Sequence, residues 1–226
     1  MTVMLEAPGV PDALSRVSLF ENLSPELLAR VAALAQRRRL PANSLLWSRG
    51  ECNDALVILV SGRMKALLSN EEGREMTLHV FTPYEYLGEM SIFDRSTHSA
   101  NVHTVEACDV LWIPGEAFRE LMREEPRMVW HLLQVQTERV RRLSDELASH
   151  AFMSTCRRVA RKLLQCAGEN PHAEISHQDL AGLIGSTRES VTRALADLER
   201  RGMIATGKQK IALRDRAGLT EMLDSI

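Results

Sequence analysis

Apolar residues follow two rhythms along this chain. Through the first 125 residues the rhythm is short: "SLLWSRG", "ALVILVSG", "RMKALLSNEEG", "REMTLHVFT" and "SANVHTVEACDVLWIP" are strand-like segments separated by glycine and polar turns. Many short strands at such spacing predict a β-sandwich or barrel. An amphipathic helix, "SPELLARVAALAQ" (24–36), opens at Ser24 and Pro25 ahead of them, and another, "GEAFRELMREEP", follows and ends at Pro126. From there the rhythm lengthens. "RMVWHLLQVQTERVRRLSDELASHAF" has neither proline nor glycine, and Val129, Leu133, Gln136, Val140, Leu143, Leu147 and His150 follow a 4-3 spacing. Such a spacing is either a coiled-coil seam of about three heptads between two chains or the packed side of one long helix.

Two short helices come next. "SHQDLAGLIG" (176–185) places Ser176 three residues before Asp179 and groups Leu180, Leu183 and Ile184, after which Gly185 turns the chain. In "GSTRESVTRALADLERRG" (185–202), at about 100° per residue, Val191, Leu195 and Leu198 fall within about 60° of one another. Arg188, Thr192, Ala196, Glu189 and Arg193 occupy a separate arc of about 140°. Thr187 or Ser186 can cap this helix, Ser186 and Glu189 fit an S-x-x-E capping box, and Gly202 is the expected stop. Two short helices about a glycine turn, the second polar outside, read as a helix-turn-helix whose second helix enters the DNA major groove. "MIATGKQKIALRD" (203–215) then alternates around Gly207 and predicts a hairpin with Ile204, Ile211 and Leu213 inward. Lys208 and Lys210 lie near its turn, either as phosphate-contacting residues of a wing or as a solvated basic hairpin.

Composition narrows the class. The chain has 226 residues, 45% of them hydrophobic, which is ample for one large or two ordinary domains. The longest apolar run, "ALVILV", is too short for a membrane span, and the N-terminus lacks a basic, apolar, small-residue leader, so a cytoplasmic protein without membrane partners is expected. Cys52, Cys108, Cys156 and Cys166 form no C-x-x-C pair, so no metal site is expected. The net charge of −2 conceals an asymmetry, because residues 151–226 carry 12 basic against 9 acidic residues while residues 1–150 carry 16 against 21. The DNA-binding candidate is the basic part. With no Gly-rich phosphate loop, zinc motif or G-x-S-x-G elbow, the sequence does not read as an enzyme.

Several segments together, "GREMTLHVF" with "YLGEMSIFDRSTHSANV", "ASHAFMSTCRRVARKLL" and "ISHQDLAGLIGSTRESVTRALADLERRGMI", resemble the Crp/Fnr family over nearly the whole chain, from about Leu19 to about Leu213. The resemblance implies an α+β chain: a β-roll of the cyclic-nucleotide-binding jelly-roll kind in residues 1–125, a dimerisation helix in 126–153 and a winged helix-turn-helix in 154–226. It also implies a homodimer, double-stranded DNA and RNA polymerase as partners, and a small-molecule effector. The family's polymerase-contacting loop would fall at "AGENPHAE" (167–174), which is short here.

On the DNA side, R-E-x-x-x-R is the family's base-reading set. Arg188 and Arg193 can donate to guanine O6 and N7 and Glu189 can accept from cytosine N4, as in the cyclic-AMP receptor branch with its TGTGA-like half-site. Ser186, Thr187, Thr192, Gln178, Lys208 and Lys210 complete the expected DNA-binding set. On the sensor side, Gly88, Glu89, Met90 and Ser91 match the cassette that holds nucleotide phosphate at a helix N-terminus and takes the ribose hydroxyl on the glutamate. Ser99 matches the accompanying serine. His98 stands where that branch has an arginine, Leu143 where it has an adenine-contacting threonine beside the matching Ser144, and Tyr84-Glu85 replace a Gly-Asp pair. The effector is thus left open: a cyclic nucleotide of the cyclic-AMP kind fits the cassette but not its arginine. No diagnostic motif supports haem, and an iron-sulfur cluster would need N-terminal cysteines, whereas the first is Cys52. A cyclic-nucleotide-type module regulating a protein partner, and an effector-independent regulator with a divergent pocket, are the alternatives.

Overall fold

The computed structural model describes residues 8–21, 23–73, 75–207 and 210–224. Cα proximity divides the chain into two compact units, one built from the chain up to Leu68 with His79–Thr137, the other from Ser69–Leu78 with Glu138 onward.

The first unit begins with α1 (Val10–Ser15), a 3-10 turn (Ser18–Phe20) and α2 (Pro25–Leu34). Ser24 caps α2 by accepting the Leu27 N–H at 3.3 Å, and Pro25 sits in the first turn, where no donor is needed. Ala35 is already extended and Gln36 opens β1 (Gln36–Leu40), so the helix read as far as Gln36 stops two residues earlier. β1 reads Gln-Arg-Arg-Arg-Leu and shows no apolar alternation because it is an edge strand; there Arg38 lies 4.2 Å over the Trp112 ring and Arg37 pairs with Asp109.

Along the chain β2 (Leu45–Trp47), β3 (Ala55–Ser61), β4 (Met64–Ser69), β5 (Glu75–Phe81), β6 (Tyr86–Leu87), α3 (Glu89–Asp94), β7 (Asn101–Thr104), β8 (Cys108–Pro114) and α4 (Gly115–Glu124) follow, Ser69 and Glu75–Leu78 being grouped with the second unit. Among the described residues the strands form two four-stranded sheets, ordered β1-β8-β3-β6 and β2-β7-β4-β5. The segment "SANVHTVEACDVLWIP" is therefore two strands, broken at Val105–Ala107 where the chain passes from one sheet to the other. β3 is buried at six successive positions, Ala55 to Val60, as expected where both faces of a strand are covered. Leu56, Ile58, Leu111 and Ile113 pack with Phe20 and Phe118 in the core of this unit.

The long helix α5 (Pro126–Phe152) follows α4 after one residue. Met128 and Leu132 are buried in the first unit's core, with Val129 and Val135 packed against it. Leu133, Val140, Leu143 and Leu147 are exposed, and so are Trp130 and Phe152.

In the second unit α6 (Thr155–Ala167), β9 (His172–Ala173), α7 (His177–Leu183), α8 (Arg188–Arg200), β10 (Ile204–Gly207), β11 (Lys210–Leu213) and α9 (Arg216–Asp224) surround a separate core. Val159, Leu163, Leu180, Val191, Leu195, Leu198, Ile211 and Leu219 fill it. β10 and β11 form an antiparallel hairpin with Ile204 opposite Leu213, and β9 pairs with the far side of β11. The fold is thus α+β: a β-roll of the cyclic-nucleotide-binding kind, a long helix and a winged helix-turn-helix.

At Tyr84-Glu85 the backbone keeps the left-handed conformation that a glycine would adopt freely: Tyr84 has φ 73°, its N–H donates to the Leu59 carbonyl at 2.6 Å and its hydroxyl accepts from Arg16 at 3.1 Å. The Glu85 carboxylate accepts the Thr82 N–H at 2.6 Å, the Thr82 hydroxyl at 2.9 Å and makes a 2.9 Å bond with His79 Nε2. Burial pushes this carboxyl up, but the His79 and Thr82 bonds more than offset that and hold it down at about 2. A carboxyl lowered by folding adds stability above its ordinary value of 4.5, and that stability is lost as pH falls from about 5 toward 2. Glu85→Gln should therefore cost about 1 to 2 kcal/mol at pH 7, after discounting for the partly exposed side chain. Urea unfolding of both proteins at pH 7, 5, 4 and 3 should show the gap closing with acid; a constant gap would assign the loss to packing.

Candidate effector pocket and nucleic-acid interface

Gly88 precedes α3 at φ 92°, and a Cβ built there would stand 2.4 Å from the Ala55 carbonyl oxygen. Only glycine meets both conditions. This places Glu89 and Ser91 in the interior: Ser91 Oγ donates to the carbonyls of Gly88 and Asn53 at 3.0 and 3.1 Å, and Glu89 is 1% exposed. The Glu89 carboxylate accepts a 2.7 Å hydrogen bond from Gln136 Nε2 on α5. Met90 is exposed, as is Phe93 one turn later.

His98 is 6% exposed, and its ring stacks on Trp47 with centroids 4.1 Å apart and planes 11° from parallel. Its backbone N–H donates to Glu51 O, and its carbonyl accepts from Gly50 N, both at 2.9 Å. Ring Nε2 is buried with no hydrogen-bond partner among the described residues. Burial pushes the imidazole pKa down and the Glu51 carboxylate opposes this only in part, so His98 is neutral at pH 7. The neighbouring Ser99 is exposed.

Trp47, Asn53 and Gln136 therefore join the cassette although sequence reasoning did not place them there. "SLLWSRG" carries no mark that its tryptophan will support a histidine 51 positions on, and Gln136 fitted the 4-3 spacing equally well. A second feature had no local signature either: Arg119 on α4 grips Asp54 with two nitrogens at 2.8 and 2.7 Å and also donates to Glu116, fastening α4 to the loop before β3. Leu143 and Ser144 belong to the second unit, where Leu143 is half exposed and Ser144 Oγ donates to the Val140 carbonyl at 3.0 Å.

In the helix-turn-helix, Ser176 caps α7 by accepting the Asp179 N–H at 3.1 Å. Gly185 turns the chain at φ 56°. Of the two cap candidates for α8, Thr187 takes the role, accepting the Ser190 N–H at 3.2 Å. Ser186 lies before the cap, its N–H donating to Ala181 O at 3.0 Å, so the Ser186–Glu189 capping box does not form. Val191, Ala194, Leu195 and Leu198 are buried, while Arg188, Glu189, Thr192, Arg193 and Ala196 are all exposed. The Glu189 carboxyl is held below its usual range, chiefly by its own backbone N–H and by Thr187, so it is an acceptor-only carboxylate at pH 7. Arg193 donates to Ser190 Oγ at 3.3 Å, and Thr192 Oγ1 bonds His177 Nδ1 at 3.1 Å. Gln178 is exposed on α7 and Lys210 on the wing; Lys208 lies outside the described residues. One exposed face of α8 thus presents two cations and an anion.

Comparison with known proteins follows the same division. The profile of the cyclic nucleotide-binding domain matches residues 37–125, and that of the Crp-like helix-turn-helix domain matches residues 157–222. The cyclic AMP receptor protein of Thermus thermophilus is 32% identical over 206 residues, spanning 90% of this chain and 95% of its own length. A CRP-like cAMP-activated global transcriptional regulator of Mycobacterium tuberculosis is 29% identical over 213 residues, with the same coverage of 90% and 95%. Among solved structures, the c-di-GMP responsive global regulator CLP of Xanthomonas campestris superposes with a TM-score of 0.74 at 23% identity, over 84% of this chain and 99% of that one, a likeness of fold.

Proposed function

This chain belongs to the Crp/Fnr family of transcription regulators, which are not enzymes, and on that premise we propose that it acts as a homodimer reading a TGTGA-like palindrome under the control of a small molecule in its β-roll. The observation that carries the DNA part is the exposed Arg188-Glu189-Arg193 face of α8, held rigid by four buried residues behind it. Arg188 and Arg193 each donate bidentately to a guanine and Glu189 accepts from a cytosine, while Ser186, Thr187, Thr192, Gln178 and Lys210 position the backbone.

The dimer reading rests on Leu133, Val140, Leu143 and Leu147. These exposed leucines and valine recur along one side of α5, and a row of large apolar side chains in water is stable only when covered. A two-fold protein also suits a two-fold site. RNA polymerase is the partner that such a regulator addresses, and the cytoplasm is where it meets its DNA.

The pocket favours a ligand of the cyclic-nucleotide class held less tightly than in relatives named for cyclic AMP. Gly88, Glu89 and Ser91 suit such a ligand, but neutral, stacked His98 supplies no fixed cation to a phosphate, and Gln136 already holds the Glu89 carboxylate. An incoming hydroxyl must displace or share that bond.

Three measurements test this reading. Arg188→Ala should cost about 1 to 3 kcal/mol on a TGTGA palindrome and little on random DNA, read by gel shift on both; equal losses would make Arg188 a phosphate contact. Leu143→Glu puts like charges into the seam of both chains and should lower the mass seen by light scattering and weaken operator binding. An unchanged dimer would place the seam elsewhere. His98→Arg restores a bidentate cation and should tighten cyclic AMP by about 1 to 2 kcal/mol in calorimetry, whereas Glu89→Ala should weaken it. No heat from either variant or from the wild type would exclude cyclic AMP as the effector.

A further inference from the structure

The hairpin β10–β11 leaves the end of α8, and exposed Lys210 opens β11 on the far side of its turn. In the sheet ordered β10-β11-β9, β11 is held on both sides, whereas β10 is an edge strand with one side open. Glu199, in the last turn of α8, takes up that open side. Its Oε1 accepts the Thr206 N–H at 2.7 Å and lies 3.0 Å from the Thr206 hydroxyl, which reaches Oε2 at 2.9 Å. Thr206 stands directly before Gly207, which is opposite Lys210. Leu198 beside Glu199 and Ile204 two residues before Thr206 are buried in the core, so both ends of this tie start from fixed backbone.

Nothing in the helix itself favours an acid here. A carboxylate in the last turn meets the negative end of the helix dipole, where cations such as Arg200 belong. What Glu199 gains is the strand. The Thr206 N–H first, and then its hydroxyl, hold the carboxyl below its usual range, with Arg214 acting the same way, so it is an acceptor-only group at pH 7.

We propose that Glu199 is a positioning residue for DNA binding: acting through Thr206, it fixes the angle at which the wing leaves α8 and so sets Lys210 against the DNA backbone while α8 lies in the major groove. This rests on Lys210 being a backbone contact. The sign of the effect separates the role from a merely electrostatic one. DNA repels a carboxylate, so on charge alone Glu199→Ala and Glu199→Gln should tighten binding equally. A positioning residue behaves otherwise, because alanine leaves Thr206 without its acceptor whereas the glutamine amide oxygen still accepts the Thr206 N–H.

The test is fluorescence anisotropy of the full chain on a random-sequence duplex across a salt series, where binding rests on phosphates alone. Glu199→Ala should bind about three- to tenfold more weakly, with the slope of log K against log salt smaller by about one for each wing disengaged. Glu199→Gln should stay within about twofold of the wild type, and Thr206→Val, which changes no charge, should fall between the two. In a Lys210→Ala background Glu199→Ala should cost nothing further, since the contact it positions is already gone. Circular dichroism melts establish that each variant is folded; should Glu199→Ala not be, Thr206→Val against Glu199→Gln decides the matter. Tighter binding by both Glu199 variants, an unchanged salt slope, losses that add to those of Lys210→Ala, or Thr206→Val binding as tightly as Glu199→Gln would overturn the proposal. Wild-type binding by Lys210→Ala would instead remove Lys210 from the DNA contacts, and the proposal with it.

Discussion

The sensor half depends on a single close approach, that of Gly88 to the carbonyl of Ala55. With 2.4 Å between that oxygen and the place a Cβ would occupy, and φ at 92°, every other L-residue would have to push α3 away from β3. Because the backbone passes so near, Ser91 can bond the Asn53 carbonyl and Glu89 can be buried with its carboxylate turned to Gln136. A buried carboxylate is stable only with partners, so the position of α5 beside the roll and the orientation of Glu89 are set together. An effector that engages Glu89 necessarily acts on a bond to the long helix.

Along that helix the two sides have different tasks. Met128 and Leu132 enter the β-roll core, and the Gln136 side chain reaches into the cassette, whereas Leu133, Val140, Leu143 and Leu147 lie in water. One helix thus carries an inward stripe near its start and an outward apolar row along its length, an arrangement that fits a helix serving both its own domain and a second copy of itself. At its C-terminal end His150 Nδ1 accepts from Arg158 on α6, so the last position of the 4-3 series bonds within the second unit.

His98 shows how burial can leave a titratable side chain without its charge. The ring is buried against Trp47 and is neutral at pH 7, while backbone bonds to Glu51 and Gly50 hold the loop. An anion held beside this ring would meet neutral donors, which are weaker than a guanidinium fork and less selective for phosphate.

Much was determined by the sequence alone, because local signals with short periods survive in one dimension. The caps Ser24 and Ser176, the apolar seam of α8, the exposed arc carrying Arg188, Glu189 and Arg193, and the inward positions Ile204, Ile211 and Leu213 follow from spacing and backbone hydrogen bonding within a few residues. Tertiary structure decided what depends on partners far along the chain. β1 is a strand because β8 supplies its hydrogen bonds, in spite of three consecutive arginines, and Thr187 rather than Ser186 caps α8 because the Ser186 N–H is drawn to Ala181. Gln136 turns to Glu89, and His98 stacks on Trp47, because burial of a carboxylate or an imidazole is settled by whichever neighbour the fold brings within 3 to 4 Å, and no periodicity records that neighbour.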